Sequence, residues 1–365
     1  MASEKFIKAE AAEQTAFATL ASSGFFQAPV TAEFSDEQVI AEAVWDQGTW
    51  TPTEIVDRMA QYAEFTTDGS AFFEMLPVYL SAGFADAPPV GSSPYSYEDL
   101  VSFNRVGGPA PYTWLFGSRT NIGGTGPAVR IQDSYCQEIV IAGNINSKEV
   151  TLRSSWFGLS VDDNSDAGYA MNGSALPTSL GMLKTLLGAI AIKDAGATGN
   201  SFASMTSITN TMLDWTLTMR TGLEPLWVSD GNAITYAGVR YTEPEITFAP
   251  VFRVDSTIYP LVRAKADDRT YQELQLTLTG DSSRSAVWKM TGRWSPEMGH
   301  VGRSGGEQVI SPTFMVDTPH TQTSGKHLFG WDIDTLWSHA ANVTARLVED
   351  GTARLTESGS PRLLG

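Results

Sequence analysis

One serine in the chain lies in a pattern that nucleophilic enzymes use. Residues 302–306 read Gly-Arg-Ser-Gly-Gly, which matches the Gly-x-Ser-x-Gly pattern of a serine nucleophile. That pattern works between a strand and a following helix, with an acid and a histidine later in the chain. Residues 307–312 have the character of a strand and end at a proline, so they do not continue as a helix. We therefore predict that Ser304 lies in a glycine-rich loop and is not a nucleophile.

Metal and phosphate sites are suggested only in part. Asp162, Asn164 and Asp166 have the spacing of the first ligands in a calcium loop, but Gly173 stands where the bidentate glutamate belongs. We interpret this stretch as a linker. The glycines at positions 123, 124 and 126 lack the spacing and the lysine of a phosphate loop. No pair of histidines has a helical metal spacing; the histidines are His300, His320, His327 and His339. The sequence thus predicts no catalytic residue, no cofactor and no metal, and a protein that is not an enzyme.

A seven-residue motif, which we call the repeated phrase, occurs twice in the chain and opens two of the predicted strand pairs. Residues 135–141 read Tyr-Cys-Gln-Glu-Ile-Val-Ile, and residues 270–276 read Thr-Tyr-Gln-Glu-Leu-Gln-Leu. Each phrase opens an alternating strand, passes through a turn of glycine, asparagine or serine, and returns on a strand that contains a tryptophan, Trp156 or Trp294. One repeat of this length predicts two copies of a single domain that have become fused.

Composition favours strands. The 365 residues include 10 Trp, 11 Tyr, 17 Phe, 33 Gly and 18 Pro, a balance typical of sheets joined by turns. Residues 112–116, 213–220, 245–254 and 272–279 are predicted strands, and residues 71–84 suit a short helix that Pro77 must start or break. We expect a mainly β fold, a β-barrel or sandwich, with a few short helices.

The ends and the cysteine content suggest a cytoplasmic origin. The first eight residues lack a basic segment followed by an apolar core, so no signal peptide is predicted. The longest apolar stretch, residues 186–192, is far shorter than the roughly 20 residues that span a bilayer, and no membrane insertion is expected. The single cysteine, Cys136, is predicted to pack as a small apolar side chain.

The net charge of −17 is distributed unevenly. Residues 1–180 hold 22 acidic and 8 basic residues, a net of −14, whereas residues 181–365 hold 19 and 16, a net of −3. Between Glu33 and Asp99 there are thirteen acidic residues and one basic residue, Arg58. Either this region is a solvated face, or it is a surface that must repel nucleic acid. A conventional nucleic-acid-binding protein is not expected.

The order of the segments resembles that of the major tail tube proteins of long-tailed bacteriophages, in particular those with two fused tube domains. The resemblance rests on order and pattern over most of the chain. It is carried by residues 15–17 in an N-terminal arm, residues 112–116, the duplicated strand pair, and residues 191–194, 213–220, 222–226 and 241–253.

This resemblance implies an N-terminal arm over residues 1–30, a first tube domain over 31–170, and a second over 171–365 that carries a C-terminal extension. Three such chains would form a ring with pseudo-sixfold symmetry, and the rings would stack helically, with help from the arm, into a tube in the tail of the virion. The expected partners are further copies of the chain, a tape-measure protein, and tail terminator and baseplate proteins. DNA would pass through without specific binding.

On a tube subunit, one face of each alternating strand packs on the core and the other face is exposed to solvent, which we call the wet face. Glu138, Glu273 and Gln275 lie on predicted wet faces and are the candidates for the channel wall, beside at least one acidic band from residues 33–99. Two alternatives stay open. One is another ring-forming tail or baseplate hub protein, and the other is a β-sandwich enzyme that acts on carbohydrate.

Overall fold

The computed structural model of the chain describes residues 5–6, 8–14, 16–19, 21, 25–45, 53–84, 95–101, 108–117, 128–159, 161–162, 176–177, 179–195, 202–208, 211–228, 236–256, 258–281, 283–295, 302–304, 307–317 and 329–337. These residues form 22 strands. The strands of the first half are β1 (Lys5–Phe6), β2 (Lys8–Glu13), β3 (Phe26–Ala28), β4 (Thr31–Trp45), β5 (Thr53–Ser70), β6 (Tyr95–Val101), β7 (Tyr112–Gly117), β8 (Ala128–Asn144), β9 (Val150–Gly158) and β10 (Val161–Asp162). Those of the second half are β11 (Gly188–Asp194), β12 (Thr206–Ile208), β13 (Met212–Arg220), β14 (Leu223–Leu226), β15 (Gly238–Tyr241), β16 (Glu245–Arg253), β17 (Gln272–Thr279), β18 (Ser285–Trp294), β19 (Gly302–Ser304), β20 (Glu307–Ile310), β21 (Phe314–Val316) and β22 (Phe329–Thr335).

Twenty of these strands belong to one sheet. A continuous path of antiparallel pairs runs through it in the order β4-β5-β9-β8-β13-β16-β21-β18-β17-β11-β12. The first part of β8 also pairs with β7, which in turn pairs with β2, and β22 pairs with both β18 and β6. Strands β14 and β15 form a separate hairpin. The mainly β fold class is confirmed.

Alternation in the sequence decides which side of the sheet becomes the core. In β17 the predicted apolar positions Leu274, Leu276 and Leu278 are fully buried. In β13 the same holds for Trp215 and Leu217, as their period of two requires. The main cluster of buried apolar side chains includes residues of both halves of the chain, so it does not separate two domains. The division of the chain at about residue 170 stays a prediction.

Short helical segments cover the core side of the sheet. A 3-10 turn over Phe73–Met75 leads into α1, Leu76–Gly83, which has Pro77 in its first turn, where proline costs no hydrogen bond. The predicted helix is therefore confirmed. A π-helical turn over Tyr259–Arg263 leads into α2, Ala264–Asp267, whose Ala266 enters the same core.

The N-terminal segment, which was expected to be an arm, contributes a strand to the sheet. Strand β2 lies between β3 and β7, and Ala9, Ala11 and Ala12 are buried. Alanine and glutamate favour helices, but propensity is a weak preference that pairing with two strands overrides. Removing residues 1–20 would therefore remove a core strand, in addition to any contact between rings.

The single cysteine behaves as predicted. Cys136 is fully buried in the main core, and burial raises the pKa of its thiol well above the ordinary value. Its sulfur donates only a weak hydrogen bond, 3.5 Å long, to the carbonyl oxygen of Glu138. It packs as a small apolar side chain.

Candidate functional site

The side of the sheet opposite the core is polar across both halves of the chain. We call it the polar face. Pairing carries the same side from β5 to β11, since Thr247 of β16 lies opposite Met315 of β21, and Met315 opposite Arg293 of β18. Its members are Thr66, Asp68 and Ser70; Thr151, Arg153 and Ser155; Glu138, Val140 and Ala142; Asp214, Thr216, Thr218 and Arg220; Glu245, Thr247, Ala249, Val251 and Arg253; Met315; Ser285, Val287, Lys289, Thr291 and Arg293; Glu273, Gln275 and Thr277; Ala189, Ala191 and Lys193; and Asp332 and Asp334. All except Glu273 and Thr291, which are opposite each other, are exposed or half-buried.

Glu138 lies at the join between the two halves of the sheet. It is opposite Arg220 of β13, and the two side chains form an ion pair at 2.9 Å. Arg220 also binds Glu245 of the next strand at 3.0 Å, so one guanidinium bridges two carboxylates. The Glu138 side chain is 30% exposed. It lies on the wet face, as predicted.

Glu273 occupies the corresponding place in the second copy of the phrase but has a different environment. It is opposite Lys193 of β11, and its carboxylate binds the lysine at 3.0 Å. Its other contact is a hydrogen bond that the backbone N–H of Phe202 donates at 3.1 Å. The side chain is only 1% exposed, so the expectation of a wet position does not hold in this chain. Lys193 and the segment around Phe202 cover it.

Gln275, the third predicted channel-wall residue, is half-buried two residues further along β17. Its amide donates a hydrogen bond to the hydroxyl of Thr277 at 3.2 Å. The structure therefore places Glu138, Glu273 and Gln275 on one side of one sheet, with Glu138 on a different strand from the other two. That they line a channel stays a prediction.

The polar face has few bulky side chains and a small negative charge. Serine, threonine and alanine supply much of it, and its seven acidic residues outnumber its six basic ones. Arg220 and Lys193 are each held by carboxylates, and Arg293 binds Asp317 at 2.9 Å. These three basic side chains are therefore each paired with a carboxylate, and the six basic residues of the face are distributed over five strands.

The hairpin β14–β15 bounds the polar face at one end. It lies in the connection between β13 and β16, and its Leu223 packs with Tyr135, Phe157 and Tyr236 in a small buried cluster apart from the main core. The hydroxyl of Thr221 ties the start of this hairpin to β8 through a 2.8 Å hydrogen bond to the Cys136 carbonyl oxygen. Aromatic packing thus fixes the hairpin beyond the last residues of the face.

Asp133 is a buried acid that the sequence did not single out. It lies in β8 with a φ of 51°, in a left-handed conformation that aspartate tolerates better than most residues. One carboxylate oxygen accepts the N–H of Ala18 at 2.7 Å, and its carbonyl oxygen accepts the Tyr236 hydroxyl at 2.5 Å. Burial raises the pKa of the carboxyl to about 6. Asp133 therefore holds the N-terminal segment against β8.

A buried ion pair joins the two halves of the chain. Arg284, in the turn between β17 and β18, donates to Glu74 of the 3-10 turn before α1 at 2.6 Å. The second oxygen of Glu74 accepts the N–H of Gly181 at 2.8 Å. Arg284 also binds Asp281 and the carbonyl oxygen of Ser179. Both Glu74 and Arg284 are buried. We call this ion pair, together with its contacts to Asp281, Gly181 and Ser179, the buried latch.

The residues considered for catalysis or metal binding do not form a site in the described part of the chain. Gly302–Ser304 is a strand paired with β20, where a loop was expected. The four histidines, the glycines at 123–126 and most of the suggested calcium loop lie outside the described residues. Over the described ranges, no group of three His, Cys, Asp or Glu residues could hold a metal ion. Within the same ranges, no helix is long and apolar enough to cross a membrane.

Comparison of the chain with protein-family models and with curated proteins finds no match.

Proposed function

We propose that this chain is a structural subunit of a bacteriophage tail tube, in which rings of three chains stack around a channel for DNA. The observation that carries the proposal is a unit of hairpin, helix and hairpin that occurs twice on one continuous sheet. In the first half the unit is β4–β5, α1 and β8–β9, and in the second half it is β13–β16, α2 and β17–β18.

The two units also have the same strand order. In the first the order is β4-β5-β9-β8, and in the second it is β13-β16, then the short β21, then β18-β17. The last strand of the first unit, β8, pairs directly with the first strand of the second, β13. Within one chain, therefore, two such units are already joined edge to edge in a single sheet. Three chains would supply six units, which suits a closed ring.

The junction between neighbouring chains must differ from the junction within one chain. Strand β8 uses its outer edge to pair with β13 of the same chain. The corresponding edge of β17 is already paired with β11, over seven residue pairs. The next chain would therefore meet β11 and β12, and the ring would alternate between two kinds of contact. This agrees with the unequal charge of the two halves.

The polar face is suited to line the channel. A phosphate backbone binds clusters of lysine and arginine and releases counterions as it does so, so a conduit must lack such clusters. The excess of acidic residues and the local pairing of Arg220 and Lys193 meet this requirement. The helices α1 and α2 lie on the core side and would face outward. Binding of tape-measure, terminator and baseplate proteins follows from the tube role and is part of the proposal.

Electron microscopy of the concentrated protein tests this directly. We expect hollow tubes of constant diameter, with rings of three chains and pseudo-sixfold symmetry. Isolated rings that do not stack would favour a hub protein of the tail or baseplate. Monomers at every concentration would refute the proposal.

A second measurement tests the channel wall. The double variant Glu138→Lys with Glu245→Lys would place two lysines beside Arg220 on the polar face. We expect tubes of this variant to retain labelled duplex DNA at low salt and to release it at high salt. The matched control is Asp267→Lys with Asp268→Lys, which adds the same charge at exposed positions at the end of α2. Equal DNA retention by both variants would mean that the polar face is not the wall.

A further inference from the structure

We propose that two exposed apolar patches, at opposite ends of strands β8 and β13, bind each other between successive copies of the chain. The proposal rests on the proposed function in one respect, because it names the surfaces through which rings would stack. The partner is a second copy of this chain in head-to-tail orientation.

The first surface, which we call the tip patch, consists of Leu226, Trp227 and Val228 at the end of β14. Trp227 is 44% exposed, and its neighbours are similarly open. Its ring is nonetheless held in place, since it contacts Tyr62 edge-on at a centroid distance of 5.9 Å and Tyr236 at 6.3 Å. A fixed and exposed tryptophan beside two aliphatic side chains is typical of an interface anchor.

The second surface, the base patch, consists of Met182, Leu186 and Leu187. Leu186 is 58% exposed, which is the highest exposure of any large apolar side chain in the described part of the chain. The backbone beneath is fixed, because buried Thr185 donates from its hydroxyl to the Glu149 carbonyl oxygen at 2.9 Å. The base patch is therefore also a formed surface.

The two patches lie beyond opposite ends of the same strand pair. The tip patch follows Arg220, which is opposite Glu138, and the base patch adjoins the turn after Asn144, which is opposite Asp214. Seven paired residues separate these ends, about 20 Å at the rise of an antiparallel strand. Two different patches at opposite ends make a head-to-tail contact that does not close, and such a contact generates a filament.

Charge around the patches supports contact between the two. Near the tip patch the exposed or half-buried acidic residues Glu138, Glu224, Glu243 and Glu245 exceed the basic residues Arg220 and Arg240 by two. Near the base patch the exposed Lys148 and Lys184 are balanced by Glu149 and by Asp281 in the turn after β17. A negative tip patch and a neutral base patch favour the tip-to-base contact over the tip-to-tip contact, in which like charges would meet.

The test uses the full chain with one charge placed in each patch. Trp227→Glu and Leu186→Glu should each raise the concentration at which tubes form about thirtyfold or more, the effect expected when a central anchor of an interface is lost. Met315→Glu is the matched control. Its side chain is 45% exposed, as open as Trp227, but it lies on the polar face outside both patches. Circular dichroism and thermal melting establish that all three variants are folded.

Mixing the two variants distinguishes the orientation of the contact. A copy with an intact base patch and a copy with an intact tip patch can form one junction, so the mixture should give paired layers by sedimentation and electron microscopy, and no long tubes. Paired layers of Leu186→Glu alone would show a tip-to-tip contact, which closes after two copies, and would overturn the proposal.

The remaining outcomes separate this inference from the proposed function. If wild-type tubes form and both variants form them at the same concentration, the inference is wrong and the tube role stands. If the wild type forms filaments without a channel, and both variants abolish them, the inference stands and the tube role is wrong. A wild-type chain that stays monomeric overturns both.

Discussion

Replacing Glu74 with Gln should destabilise the whole chain through the buried latch. The carboxylate has one oxygen 2.6 Å from Nε of Arg284 and the other 2.8 Å from the N–H of Gly181. Glutamine removes the negative charge and points an amide N–H₂ at either the guanidinium or the N–H of Gly181. In both cases a donor faces a donor, and a buried positive charge loses its main partner.

The expected loss follows from the burial of both partners. Breaking a buried ion pair by removing one partner costs about 3–5 kcal/mol, since the other charge stays in a poorly solvated site. The remaining contacts of Arg284 with Asp281 and the Ser179 carbonyl oxygen offset a part of this. We therefore expect Glu74→Gln to lower the free energy of unfolding by about 3 kcal/mol.

Urea unfolding followed by tryptophan fluorescence measures this change. The control is Asp281→Asn, which removes an exposed charge from the same guanidinium and should cost no more than about 1 kcal/mol. The pair Glu74→Leu with Arg284→Met should cost less than the two single changes added together, because neither charge is then left alone.

A Glu74→Gln variant that unfolds within about 1 kcal/mol of the wild type, the range of a surface ion pair, would show that burial does not strengthen this pair. A double variant that loses the full sum of the two single losses would show that the two charges do not act on each other.

Three further predictions concern single positions. Because burial raises the pKa of Asp133 to about 6 from 3.8, its contribution to stability is complete below pH 3.8 and is lost as the pH rises through 6. Asp133→Asn still accepts the N–H of Ala18 but does not ionise. From pH 4 to pH 7 its free energy of unfolding should rise by up to about 3 kcal/mol relative to that of the wild type, measured by chemical unfolding at each pH. Parallel pH profiles of the two proteins would contradict this. Gly292→Ala should lower the melting temperature by several degrees, because a Cβ there would overlap the carbonyl oxygen of Met315 where β18 pairs with β21, and an unchanged melt would show that this junction yields easily. Arg220→Ala should leave the midpoint of urea unfolding nearly unchanged, because its ion pairs are exposed to solvent. A clear fall of the midpoint in the same assay would mean that these ion pairs hold the two halves together.

Local pattern in the sequence was enough to locate the elements with strict alternation. Strand β17 was predicted over the residues that form it, and Leu274 is buried as its period requires. Pro77 was predicted either to start a helix or to break it, and it lies in the first turn of α1, where proline costs no hydrogen bond. The repeated phrase also marked two hairpins that share the same place in their units.

The features that the sequence could not predict depend on pairing between residues that are far apart in the chain. The helix-forming composition of residues 8–13 gave no sign that β7 and β3 would flank them as strands. Glu273 alternates like a wet residue, but its burial depends on Lys193, which lies 80 positions earlier in the chain. The role of Arg220 follows from the register of three strands, and that register appears only when they pair.

The position of Cys136 has a practical consequence for experiments on assembly. Thiols react through the thiolate, and a buried thiol with a strongly raised pKa presents almost none at neutral pH. A cysteine introduced at an exposed position such as Met315 would therefore be the only residue that a maleimide dye labels under native conditions. Donor and acceptor dyes attached there, on separate copies of the chain, would report the joining of subunits in real time by energy transfer, in a protein that is otherwise the natural one.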